Sequence, residues 1–187
     1  YRNLAPELKP NEGEETFLFN TELFQSINPF WVIALTPLVV AFFSYLKRVN
    51  WEISTATKIA FGLLISAVST LVMAAAVYAG SNGEIKVSPM WLISCYAVIT
   101  VGELFLSPMG LSLVSKLSPK RITALMMGGW FLATSLGNKL SGILATLWDG
   151  YAHKSNFFFV NGLLLGSAAI IMFFMLRWLN GILKEHL

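Results

Sequence analysis

The sequence predicts an all-α, polytopic membrane protein with five transmembrane helices. Three observations lead there. Of its 187 residues 56% are hydrophobic and only 12% charged, half the charge of about 25% that a soluble domain usually carries. The mean hydropathy is +0.66. Five apolar runs, at about 23–46, 57–80, 90–115, 123–148 and 157–179, each supply the roughly 20 residues that a helix needs to cross a bilayer core.

Residues 1–22 contain Pro6, Pro10, Glu7, Glu12, Glu14 and Glu15 and show no sustained apolar period, so they read as a solvated loop outside the membrane. The first run opens on ELFQSINPF, which places Gln25 and Asn28 in its first quarter. Asn28 precedes Pro29, and a residue before proline is biased away from regular helix. Its amide suits either a helix-start cap or a polar ligand. Pro37 should bend this run, and Pro108 the third. In the second run Gly62, Ser66 and Thr70 recur four apart, as do Gly162 and Gly166 in the fifth; small residues at that spacing let helices approach closely.

The fourth run, ALMMGGWFLATSLGNKLSG, repeats Trp130, Thr134 and Asn138 every four residues on one stripe. Trp130 lies too deep for an interfacial belt and is read either as packing or as the wall of a pocket. Lys139 is placed to snorkel, and Asn161 in the fifth run to bond across helices. Trp51, Trp91, Trp148, Tyr151 and Trp178 fall near run ends, where amphipathic rings prefer the headgroup level. The connections are short enough to make neighbouring helices antiparallel, and residues 182–187 form a tail.

Lys/Arg counting sets the expected orientation. One side collects eight (Lys47, Arg48, Lys58, Lys116, Lys120, Arg121, Arg177, Lys184) and the other five (Arg2, Lys9, Lys86, Lys139, Lys154). The richer side is expected in the cytoplasm, with the N-terminus outside and the C-terminus inside, in a bacterial inner membrane. An odd number of spans, a loop-like beginning and the lack of an initiating Met suggest a piece of something longer.

Several function classes are excluded. A net charge of +3 without a basic block does not suit nucleic acid. One cysteine, Cys95, allows no disulfide within the chain and no metal spacing. His153 and His186 lack ligand-like neighbours. No zinc-protease helix, nucleophile elbow or Gly-rich phosphate loop occurs, and Glu103 stands alone among acids at membrane depth, so no enzyme is predicted.

The run from Met90 to Ser115 holds that acid near its middle, about 20 Å of helical rise from Met90. Tyr96, Thr100, Glu103 and Ser107 fall three and four apart and share a face. A carboxylate at that depth is costly, so it marks a functional site by default. It would be protonated or paired with a cation, both useful for binding an ammonium or relaying a proton. The plainer reading is an acid that ties one helix to another.

The string GELFLSPMGLSLVSKLSPKR resembles the tenth-helix signature of the proton-dependent oligopeptide transporters, within the major facilitator superfamily. That pattern is close to GE-x3-SP-x-GLS-x3-KL-x-P, and Gly102, Glu103, Ser107, Pro108, Gly110, Leu111, Ser112, Lys116, Leu117 and Pro119 match it. FQSINP at 24–29 is similar to the start of the eighth helix, TKIAFG at 57–62 to that of the ninth, and MMGGWFLATSLGNKLSG at 126–142 to the eleventh. The resemblance implies helices eight to twelve of a twelve-helix core, most of its C-terminal bundle, in a symporter that imports di- and tripeptides on the proton gradient. It implies that Glu103 meets the peptide amino terminus, assisted by Asn28. Trp130 would line the pocket, with Thr134 four residues on and Ser107 one turn beyond the acid.

Protons would be the coupling ion, with no other cofactor and no metal. The partners implied are the peptide, the lipid bilayer, and the absent N-terminal bundle and seventh helix, which carry an ExxER motif, the basic residues for the peptide carboxylate and an acid linked to proton coupling. Two alternatives remain at this stage: a same-fold transporter of nitrate or an amino compound, and a non-transporting scaffold subunit.

Overall fold

A computed structural model describes the backbone of residues 24–51, 53–83, 85 and 87–186, and side chains through Leu176. The stretch 1–22 and the side chains of Trp178 and His186 lie outside the described residues. Five long helices account for nearly all of the rest: α1 (Ile27–Arg48), α2 (Thr55–Ala79), α3 (Met90–Leu117), α4 (Thr123–Thr146) and α5 (Lys154–His186). Short 3-10 turns at Ser81–Gly83 and Leu147–Gly150 precede the third and fifth.

Four helices, α1, α2, α3 and α5, are long and apolar enough to cross a membrane. With 24 residues α4 matches them in length. Its hydropathy is diluted by Gly128, Gly129, Gly137, Gly142, Asn138 and Lys139.

Burial is inverted relative to a water-soluble core. Among the described residues the buried apolar ones are Leu46 and five alanines, Ala56, Ala60, Ala74, Ala76 and Ala169, while Ile33, Leu125, Leu163 and Phe174 are more than 70% exposed. In lipid no hydrophobic gain drives helices together, so close approach of small residues does. The large side chains are left to face the tails.

Helix α3 occupies the centre, touching α1, α2 and α4, and α2 in turn packs on α5. The α2–α3 contact is nearly backbone on backbone. A Cβ added to Gly102 would lie 2.4 Å from Ser66 Oγ and 2.9 Å from Gly62 O, and one on Gly62 would lie 2.9 Å from Gly102 O. On the other side of α2, a Cβ on Gly162 of α5 would meet Thr70 Oγ1 at 2.5 Å. The hydroxyls of α2 do not disturb this packing, because each is satisfied locally: Ser66 donates to Gly62 O, Ser69 to Ser66 O and Thr70 to Ala67 O. Gly166, the other half of the fifth helix's small pair, meets nothing.

Helix ends follow local chemistry. Ser54 caps α2, its Oγ accepting from Thr57 N at 3.2 Å. Pro29 is tolerated three residues into α1, because the first turn's N–H groups have no intrahelical acceptor anyway. Asn28 therefore sits inside a helix, which corrects the expectation of an irregular backbone there. Where α2 stops, Asn82, in the left-handed region at φ 64°, clips two loops together. Its Nδ2 donates to Ala152 O at 2.8 Å, and its Oδ1 accepts from Lys154 N at 2.7 Å. Lys154 Nζ then donates to Trp148 O at 2.9 Å. Asn161, expected to bond across helices, instead donates to Phe157 O of its own α5 at 2.8 Å; one turn of helix offers a nearer acceptor than any neighbouring span.

Because Gly102 faces Gly62 and Ser66 directly, Gly102→Ala should overpack the contact and destabilise the bundle by about 1–3 kcal/mol. Gly128→Ala, where a Cβ meets nothing within 4 Å, should be neutral or gain up to about 1 kcal/mol of helix propensity. Thermal unfolding of the two variants in detergent, monitored by circular dichroism, checks the pair.

Candidate functional site

Glu103 is the fourteenth of the 28 residues of α3. Its neighbour Gly102 is pressed against α2, so the carboxylate is directed away from that seam and toward α1. There Asn28 Nδ2 donates to Glu103 Oε2 at 3.3 Å. Thr100, one turn earlier on α3, donates through Oγ1 to Asn28 Oδ1 at 2.9 Å. The three side chains form a directed chain, Thr100 to Asn28 to Glu103, across two helices.

This arrangement depends on how α1 crosses α3. Asn28 lies beside Thr100 and Glu103, while Phe43, fifteen residues on, packs against Phe105 with ring centroids 4.8 Å apart and the rings tilted by 53°. Fifteen residues of straight helix cover about 22 Å, yet residues 100–105 of α3 span only about 8 Å. Helix α1, with Pro37 between the two contacts, therefore lies obliquely across α3. That is why Asn28, expected in the first quarter of its span, stands level with the middle of α3.

The acid does tie two helices together, as its plainer reading has it. The tie occupies one oxygen. Among the described residues no cation pairs with Glu103, and Asn28 is its hydrogen-bond partner. A carboxylate offers about four lone-pair directions, so acceptor capacity remains for a ligand carrying N–H groups. Hydrogen bonds to a charged group contribute about 1.5–3 kcal/mol each, enough to matter for a small solute.

Trp130 stands on α4 with its ring over Gly110. A Cβ at Gly110 would come within 2.1 Å of the indole, so only glycine leaves room for it. Gly110 is seven residues beyond Glu103, about 10 Å along α3, and the indole occupies the level below the acid. Thr134 is exposed and its hydroxyl donates back to Trp130 O at 3.0 Å; the two residues share a stripe without forming a polar pair. Ser107, one turn past Glu103, is exposed. The structure thus brings Asn28 and Glu103 into contact, sets Ser107 one turn along the same helix and the Trp130 indole over Gly110 beyond it, and leaves Thr134 on the open face of α4.

Two residues of this region were missed as site residues by sequence reasoning. Thr100 was placed on the polar face of α3 but not connected to Asn28, since only the oblique crossing joins them. Gly110 lies inside the SPMGLS string, yet its role as the seat of an indole has no local signature. Beyond the site, every side chain of α4 from 131 to 143 is exposed, including Leu132, Leu136, Leu140 and Ile143 at 53–63%.

Fold and site together define an integral membrane protein of the polytopic helical class, with a polar cluster sunk among its spans. The chain belongs to the POT family, whose sequence pattern matches residues 5–160. Dipeptide and tripeptide permease A of Yersinia pestis is 34% identical over 130 residues, 69% of this chain and 25% of that protein. Peptide transporter YePEPT of Yersinia enterocolitica is 39% identical over 129 residues, 68% of this chain and 25% of that protein. A solved POT family transporter in complex with a thioalcohol conjugated peptide superposes with a TM-score of 0.76 at 27% identity, covering 91% of this chain and 34% of that one. Another, in complex with 5-aminolevulinic acid, gives 0.75 at 28% over the same shares. The chain spans about a quarter of the length of these curated relatives. The relatives are permeases and transporters.

Since the indole of Trp130 fills the space that Gly110 leaves, Trp130→Ala should loosen the α3–α4 contact. The expected loss is about 1–3 kcal/mol, below the 3–5 of a fully enclosed tryptophan because one face of α4 is open. A fall in the unfolding midpoint, set against an unchanged midpoint for the exposed Leu132→Ala, checks it.

Proposed function

We propose that the chain supplies most of the C-terminal bundle of a proton-coupled symporter for di- and tripeptides, with Glu103 receiving the peptide's α-ammonium. The observation that carries this reading is the Glu103 carboxylate at mid-helix depth, held by Asn28 and without a cation among the described residues. A carboxylate within a membrane span is costly until it is paired, and an incoming ammonium would offset that cost. Asn28 contributes a neutral donor beside the acid. Trp130 provides an apolar or cation–π surface below it, and Ser107 and Thr134 add hydroxyls nearby. The relatives' names, peptide permeases and a transporter bound to a peptide conjugate, support the substrate class.

The process is transport rather than catalysis, by alternating access in which one bundle rocks against another around a mid-membrane site. An N-terminal bundle and a seventh helix would complete the cavity and supply the charge for the peptide's carboxylate; the unpartnered face of α4 fits their placement. Protons are the coupling ion, and no metal or other cofactor enters the scheme. The setting is a bacterial inner membrane, with the segment 1–22 outside and the tail 182–187 in the cytoplasm. A second reading, carriage of another amine-bearing solute through the same carboxylate, draws support from the solved relative that holds 5-aminolevulinic acid.

Glu103→Gln keeps the shape and removes the charge. In the full-length transporter it should lower labelled-dipeptide uptake by about ten- to a hundredfold, the equivalent of one charge-assisted hydrogen bond. Unchanged uptake and binding would sink the assigned role, and competition by 5-aminolevulinic acid stronger than by dipeptide would favour the second reading. Nitrate, an anion, should not compete.

Orientation has its own check. On a Cys95→Ser background, Ser88→Cys in the α2–α3 connection should react with a membrane-impermeant maleimide added to intact cells, and Lys120→Cys in the α3–α4 turn should react only after permeabilisation. The reverse pattern would invert the proposed topology.

A further inference from the structure

Thr100 has no exposed surface, so it cannot touch a solute in the cavity. A hydroxyl in that situation usually donates to a carbonyl three or four residues back on its own helix, as those of Ser66, Ser69, Thr70 and Thr134 do here. Thr100 instead gives its one proton to Asn28 Oδ1, 72 residues away in sequence, at 2.9 Å. The two ends of an asparagine amide are not interchangeable: the oxygen only accepts and the nitrogen only donates. A threonine hydroxyl can donate or accept and so would serve either end of the amide; the carboxylate on the other side accepts from Nδ2 at 3.3 Å, while the hydroxyl anchors the amide at its oxygen. Turned over, the amide would set its oxygen against the carboxylate, acceptor to acceptor.

We propose that Thr100 is a positioning residue, whose buried hydroxyl anchors the Asn28 amide at its oxygen and so holds the NH2 group in place against Glu103. The use made of that presentation, holding the acid ready for a peptide ammonium, rests on the symporter reading above; the amide orientation itself does not. Thr100 acts only through Asn28. Its side chain supports no solute contact of its own, so its influence on binding must vanish when the amide is removed.

The test compares Thr100→Val, which deletes the hydroxyl at nearly constant shape, with Thr100→Ser, which keeps it, each with and without Asn28→Ala, in the full-length transporter and normalised to the amount in the membrane. In the Asn28 background, Thr100→Val should raise the KM for a labelled dipeptide about tenfold, in the range for one lost buried hydrogen bond, with kcat changed less than about twofold. Thr100→Ser should stay within about threefold of the unmodified protein. In the Asn28→Ala background, Thr100→Val should have no further effect, the signature of two residues acting as one unit.

An equal loss in both backgrounds would show a merely structural role and overturn the proposal, as would a Thr100→Val protein indistinguishable from the original. A second measurement needs no transport: in the full-length transporter, labelled with 15N-asparagine and held in lipid nanodiscs, the Asn28 side-chain amide resonance (identified by its loss in Asn28→Ala) should move in Thr100→Val and return in Thr100→Ser. A resonance that does not move overturns the proposal. If the unmodified transporter takes up no dipeptide, the symporter reading fails and the amide resonance alone decides.

Discussion

Everything on the polar side of α3 depends on a contact with almost no side chain in it. Gly62 and Ser66 of α2 meet Gly102 of α3 at distances that no Cβ on Gly102 could share. A bilayer gives helices no hydrophobic reason to associate, so this bundle depends on surfaces flat enough for backbones to touch. The consequence for function is directional. With Gly102 committed to α2, the next residue along the helix, Glu103, is turned toward α1, and the seam that stabilises the fold also aims the acid.

The crossing of α1 completes the arrangement. A helix lying parallel to α3 could not keep both contacts, since fifteen residues of α1 cover about 22 Å and residues 100–105 of α3 only about 8 Å. Because α1 runs obliquely, its first turn reaches the middle of α3 while Phe43 still packs against Phe105. Asn28 can then join donor and acceptor from α3 into one network with Thr100. A buried polar network that is only partly satisfied is costly, and this one is satisfied on its protein side: the threonine proton, the amide oxygen and an amide hydrogen all have partners. The open capacity sits on the carboxylate, where a solute can use it.

How much of this was legible in the sequence depended on whether a feature was local. Apolar length is a property of consecutive residues, so the helices announce themselves, and so does an acid in the middle of one. Their small-residue seams were visible as spacings, though nothing in the spacing says that Gly62 and Ser66 meet Gly102 while Gly166 meets nothing. Asn161 shows the opposite failure: a rule about bonds between helices lost to a carbonyl one turn away. The depth of Asn28 was not legible, because it follows from a crossing angle that only the packed bundle defines. Nor was the seat of Trp130, since a glycine seven residues beyond an acid looks like any other glycine until an indole lands on it.

Helix α4 is where the fold asks for more than these five helices supply. It leans on α3 through Trp130 and Gly110, and from 131 to 143 its side chains are all exposed. Its face carries Leu132, Leu136, Leu140 and Ile143 together with glycines that meet nothing. Lipid can cover leucine, but four open glycines in 24 residues weaken a helix that, among the described helices, leans on α3, each by about 1 kcal/mol relative to alanine. Their presence makes sense where another helix comes close, since glycine is what admits a second backbone. A helix packed on that face would cover both the leucines and the glycines, and so supply the stability that α4 lacks on its own.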